Sequence, residues 1–211
     1  MHQARRHARA DVIDMAAQLL DEYGMADLTM RRLARELGVT PGALYWHFAD
    51  KQALLGAVAD RLLGPALTGV PPGPWQARVH AICGGLRNAL LSSTDGAELV
   101  SASFAAGRSE RMTAILDALT DAAVAAGLHP ANADLAARSV LYYVLGFTAD
   151  EQSRLQWDAA GALSQEQSVM STNPNRRFAF GLGLLVDGMV AHRHRPSADD
   201  GVDPGVAVPA P

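Results

Sequence analysis

The sequence is poor in several things that would each have named a protein class. It has one cysteine, Cys83, so no internal disulfide can form and a reducing cytoplasm is the expected compartment. Cys83 lies among Ala, Ile and Leu, which suits a small buried apolar residue better than a nucleophile. No apolar run reaches the roughly 18–20 residues of a membrane span. The longest, FAFGLGLLVDGMVA (178–191), is shorter and carries Asp187, so no membrane partner is expected. The N-terminus has arginines and histidines but no apolar stretch followed by a cleavage site, which argues against a secretory signal. Nucleophile-elbow, phosphate-loop, zinc-spacing and paired-carboxylate motifs are all missing, so neither an enzyme nor a bound cofactor or metal is expected. Net charge is only −4, which argues against non-specific adhesion to nucleic acid. Alternating strand patterns are lacking as well.

What the chain does have is apolar residues, 49% of its 211, recurring at three- and four-residue spacing almost throughout. That is enough for a sizeable all-α core. In the first helix Ile13, Ala16, Ala17 and Leu20 form the inward set, with Tyr23 one turn on, and Gly24 stops it. Thr29 caps a second helix ending at Gly38; Thr40 caps a third with Pro41 at its first position; Asp50 caps a fourth running to about Leu63. TGVPPGP (68–74) marks a boundary. Beyond it, long helices are expected at about 74–92, 108–126, 130–155 and 175–193, with shorter pieces near 95–103 and 163–170. The resulting division is 1–52 for an N-terminal domain, 53–67 for a connecting helix, 68–195 for a second domain and 196–211 for a disordered tail rich in Pro, Gly and Asp.

Aromatics make up 6% of the chain, yet Tyr45, Trp46 and Phe48 fall within four positions of VTPGALYWHFADK (39–51). Two short helices around Gly38 make a helix-turn-helix, whose second helix lies in the major groove. Leu44 and Phe48, four apart, face inward with Leu33, Leu37 and Val39, and Trp46 is expected in the core with them. Gly42 and Ala43 are small enough to let the backbone approach the duplex, and the Ala43 methyl can meet a thymine methyl. Tyr45, His47 and Lys51 stand at phosphate height, although His47 also reads as a solvated helix-end residue. Arg31, Arg32 and Arg35 suit either DNA or an ordinary solvated face. Residues 1–51 hold seven Arg or Lys and seven Asp or Glu, so charge alone would not name a DNA-binding domain.

The segment LTMRRLARELGVTPGALYWHFADKQALLGAVADRLL (28–63) resembles the N-terminal domain of the tetracycline-repressor (TetR) family. The resemblance implies an all-α protein: a three-helix helix-turn-helix domain followed by a helical ligand-binding and dimerisation domain. It implies that Thr29 and Arg31 approach DNA from the second helix. Thr40, Pro41, Gly42 and Ala43 stand where bases are read, and Tyr45, His47 and Lys51 match backbone-contacting positions. The later segments NALLSSTDGAELV, YVLGFTADEQ and RFAFGLGLLVDGM are similar in outline, which implies that the helices at about 130–155 and 175–193 pair with their two-fold mates. Gly181, Gly188 and Ala191 among Leu182, Leu185 and Met189 suit such close approach.

The effector positions implied by the same resemblance are Leu67, Ile82, Val100 and Leu119, with Ser103 and Asp150 as the polar members and Leu86 and Phe147 alongside. With valine at 100 a metal-binding imidazole is missing, so a hydrophobic small molecule bound without Mg²⁺ is expected. The expected protein is therefore a homodimeric repressor of double-stranded operator DNA, released by a hydrophobic effector. An activator, a ligand-insensitive regulator and an all-α interaction protein with a degenerate helix-turn-helix remain the alternatives.

Overall fold

A computed structural model describes residues 8–164 and 173–193, and those residues form nine α-helices with no strand. The expected helical piece near 163–170 lies largely, and the tail 196–211 wholly, outside the described residues. Helix α1 (Arg9–Asp27) buries Val12, Ala16, Leu19 and Leu20. Ile13 and Ala17, expected in that set, are only partly buried, and Tyr23, expected one turn on, is exposed, because the inward stripe is rotated toward Val12 and Leu19. Gly24 breaks the helical path at φ 77°, as a stop there requires.

Helix α2 (Met30–Glu36) starts where the Thr29 hydroxyl accepts the Arg32 N–H at 3.1 Å. Gly38, left-handed at φ 66°, turns the chain into α3 (Pro41–Leu44). Thr40 holds the N-cap position but its side chain makes no capping bond, a departure from expectation; Pro41, which has no N–H to satisfy, opens the helix. Leu44 and Phe48 are buried against Leu33 and Leu37 as expected. Helix α4 (Lys51–Leu62) begins at Asp50, whose carboxylate accepts the Ala53 N–H at 2.7 Å.

The remaining helices are α5 (Trp75–Leu91), α6 (Gly96–Ala105), α7 (Glu110–Ala125), α8 (Pro130–Ala159) and α9 (Pro174–Ala191). Pro130 and Pro174 both open helices, the latter behind the Asn173 cap. Helix α8, about 45 Å long by its 30 residues, packs against α5, α6, α7 and α9 and forms the axis of this half. Cys83 is fully buried, and burial pushes its thiol up to about 12, so it is neutral and apolar in practice.

Two polar features sit inside this apolar packing. Arg87 of α5 makes a two-pronged ion pair with Glu151 of α8 at 2.8 and 2.6 Å, donates to Asn175 at 2.8 Å, and lies against the rings of Phe147 and Phe178. Gln152 of α8 donates to the carbonyls of Leu90 and Ser93 and accepts the Ala97 N–H, fastening the α5–α6 loop. One junction between the α1–α4 head and the rest is Asp60 of α4, which accepts the Ser109 hydroxyl at 2.6 Å and the Arg111 N–H at 3.1 Å at the start of α7.

Candidate nucleic-acid interface and effector core

The outer face of the helix-turn-helix is built from small residues and aromatics. Thr40, Pro41 and Gly42 are exposed, and Ala43 is half-buried. Tyr45 is 53% exposed and Trp46 90% exposed. This overturns the expectation that Trp46 belongs to the core. Leu44 and Phe48 fix the inward direction, and two residues after Leu44 the helical path points roughly 200° away from it. The spacing itself was the signal: an inward i, i+4 pair leaves the position between them facing solvent. A tryptophan this exposed is a large apolar surface with one N–H donor, suited to sugar rings and thymine methyls. His47 and Lys51 are half-buried at its edge.

The three arginines of α2 divide by partner. Arg32 lies 3.5 Å over the Tyr23 ring and 3.7 Å from Asp27, and Arg35 reaches Glu36 at 3.3 Å. Arg31 is exposed, as is Thr29, whose hydroxyl oxygen is engaged as the α2 cap.

The effector candidates fall into three settings. Ile82, Leu86, Val100 and Leu119 are at most 1% exposed. Ser103 is equally buried, and its Oγ lacks a hydrogen-bond partner among the described residues. Leu67 is half-buried against the same core. Phe147 stands apart in an aromatic group, 5.7 Å from the Tyr143 ring and 5.3 Å from that of Phe178. Asp150 is exposed and bonds Arg154 one turn on, at 3.1 Å. Sequence reasoning missed the charged pair Arg87–Glu151, because its partners are 64 residues apart and neither position belongs to a local motif.

An apolar groove of about 510 Å³ runs between α8 and α9, lined by Leu135, Ala136, Leu184, Leu185 and Gly188 among others. Leu135 and Leu184 of its lining are 54% and 58% exposed, and Tyr142 of α8 and Phe180 and Val190 of α9 are exposed as well. The expected close-packing set changes here. Leu182 and Met189 are buried within the chain and Leu185 is half-buried. Gly181 serves an internal crossing: a β-carbon there would overlap the Tyr143 hydroxyl, which donates to the Phe178 carbonyl at 2.9 Å.

Comparison with known proteins matches this architecture along most of its length. The family model described as bacterial regulatory proteins, tetR family, matches residues 12–58, and that of the tetracyclin repressor-like C-terminal domain matches residues 69–166. The class C tetracycline repressor protein of Escherichia coli is 33% identical over 200 residues, covering 86% of this chain and 90% of the repressor. The class E protein of Escherichia coli is 33% identical over 205 residues, covering 90% and 95%. The crystal structure of Mycobacterium smegmatis BioQ is 59% identical, with a TM-score of 0.83 over 88% of this chain and 99% of that one. A crystal structure of BioQ with its natural double-stranded DNA operator is 56% identical, with a TM-score of 0.77 over 88% and 99%.

Proposed function

This chain belongs to the tetR family of bacterial regulatory proteins, and we propose that it is a repressor that binds a partly palindromic operator as a homodimer and leaves it when a hydrophobic small molecule binds. It is a DNA-binding transcriptional regulator and not an enzyme. The exposed Tyr45–Trp46 pair beside the small residues of α3 carries the proposal, because no packing among the described residues accounts for it. The likeness to BioQ, whose structure was solved with its double-stranded DNA operator, supports operator binding by this chain. Thr40, Pro41, Gly42 and Ala43 then meet base edges, Thr29 and Arg31 approach from α2, and Tyr45, His47 and Lys51 hold the backbone.

A single short recognition helix reads too few base pairs for useful specificity, so two copies are needed. The apolar faces of α8 and α9 supply the seam. Between them the two heads address half-sites about 34–36 Å apart, or a multiple of one helical turn. The effector enters where Ile82, Leu86, Val100, Ser103 and Leu119 meet. These residues are packed shut, so a ligand has to part them, and it releases DNA only if it prefers that parted state.

Selection from a random duplex pool by the full chain, followed by gel shift on the enriched sequences, tests the reading. A two-fold symmetric motif bound by a dimer is expected. Enrichment of a single unrepeated half-site, or of nothing, would overturn it.

A further inference from the structure

Asp95 stands at the N-cap of α6 but does not cap it. Its backbone is left-handed, at φ 55°, and its side chain makes no bond to its own helix. An aspartate at this position ordinarily takes one of the helix's free N–H groups, and positive φ is uncommon outside glycine. The capping preference is surrendered, while the left-handed backbone is one that aspartate adopts more readily than most residues, and such departures from a local role concentrate where a residue serves something beyond local stability.

The carboxylate is directed at two other helices. Oδ2 accepts the Met25 N–H of α1 at 2.9 Å, and Oδ1 accepts Gln156 Nε2 of α8 at 2.8 Å. Met25 directly follows Gly24, the one non-helical residue within α1. A β-carbon at Gly24 would lie 2.8 Å from Asp95 Oδ2, so the carboxylate occupies the space that a side chain would need.

Neighbouring bonds tie the same loop to the same two helices. The Asp21 carboxylate of α1 accepts from the Ser93 hydroxyl and, at 3.2 Å, from the Thr94 N–H. On the other side Gln152 of α8 holds the loop through Leu90, Ser93 and Ala97. A continuous polar path therefore runs from α8 through the 92–95 loop to the hinge of α1, and it bypasses α4.

We propose that Asp95 is a positioning residue for operator recognition: bridged to α8 by Gln156, it fixes the angle of α1, and with it the spacing of half-sites the dimer accepts. This rests on the homodimeric operator reading, in which α8 belongs to the pairing face. The head's orientation is then referred directly to the two-fold axis.

The test uses the palindrome selected by the wild-type protein, with one base pair added or removed at its centre. Each such step turns the far half-site by about 35° and moves it by about 3.4 Å. Wild type should lose affinity steeply on the altered centres. Gln156→Ala changes an exposed side chain, so it should keep dimer mass, helical content and affinity for the parent operator within about threefold. Its discrimination between parent and altered centres should fall by about threefold to tenfold. Asp95→Ala should relax spacing further, and Asp95→Asn, which keeps an acceptor for Met25, should restore most of it.

An unchanged discrimination ratio in a folded, dimeric Gln156→Ala protein would overturn the proposal. A uniform affinity loss on every centre would do the same, since it marks a merely structural role. A wild-type protein that is monomeric or selects no palindrome would instead bring down the homodimeric reading, and this proposal with it.

Discussion

The two halves of the molecule spend their unusual residues in opposite ways. The head places its oddities outside, with Trp46 and Tyr45 in solvent beside a helix of small residues. The α5–α9 half places its oddities inside, with Arg87 and Glu151 paired in an aromatic setting and Ser103 in the apolar core without a hydrogen-bond partner among the described residues. An exposed aromatic contributes little to stability and a good deal to contact. A buried charge does the reverse, because removing its partner strands it in low dielectric. Mutations in the two halves should therefore separate binding from folding.

The largest effect is expected inside. Glu151→Ala leaves the Arg87 guanidinium buried without its carboxylate and should destabilise the fold by about 3–5 kcal/mol. Joint replacement by Arg87→Met and Glu151→Leu should cost far less, since no charge is then stranded. Denaturant unfolding at fixed protein concentration checks both; similar losses in the single and double variants would show that the pair acts as packing and not as charge. Next comes the seam. Leu184→Arg puts a cation into the 58% exposed apolar face of α9, where it should leave the isolated fold intact but cost the dimer several kcal/mol, about 2–5 if the charge is fully buried. Sedimentation at micromolar concentration would show monomers, and a persistent dimer would move the interface elsewhere.

These contrasts also explain what could be read in advance. Helix starts at Thr29, Asp50, Pro130 and Pro174 were legible because capping and proline rules act within four residues. The helix-turn-helix was legible for the same reason, since Leu33, Leu37, Leu44 and Phe48 lie within sixteen residues of one another. Trp46 was misplaced where aromatic character was weighed above angular position; the inward pair Leu44 and Phe48 already directed it outward. Arg87 with Glu151, and Asp95 with Met25 and Gln156, join positions 61 to 70 residues apart. No local period encodes such a pair, and a charged residue at helical spacing looks the same whether it faces water or a partner.

Outside, the expected effects are smaller and fall on DNA. Trp46→Ala should weaken operator binding by about tenfold while changing the unfolding free energy by no more than an ordinary surface substitution does, about 0.5 kcal/mol. A clear loss of stability instead would mean that the residue packs in the protein after all. Lys51→Ala and Tyr45→Ala should each weaken binding on all sequences by a similar amount, but only the lysine carries charge. Loss of Lys51 should therefore lower the slope of log affinity against log salt by about one, and loss of Tyr45 should leave it unchanged. A change of sequence preference in either would reassign that residue to base reading.

The smallest expected effect links the two halves. Ser103 keeps a hydroxyl in the core with no partner among the described residues, and an unsatisfied buried polar group costs about 1–3 kcal/mol. Ser103→Ala removes the group and one heavy atom, so the relief is partly offset by lost packing, and a net gain of at most about 1 kcal/mol is expected. If the effector enters between α5, α6 and α7, that hydroxyl is the buried oxygen in its path able to orient it. Calorimetry with apolar polycyclic compounds, with and without EDTA, on wild type and Ser103→Ala should then show metal-independent binding that the alanine weakens for ligands bearing a hydrogen-bonding group and spares for pure hydrocarbons. Tight tetracycline binding abolished by EDTA would replace this picture with a metal-held drug. Binding indifferent to position 103 for every ligand would place the effector away from Ser103, leaving its hydroxyl a purely local cost among the apolar side chains of α5, α6 and α7.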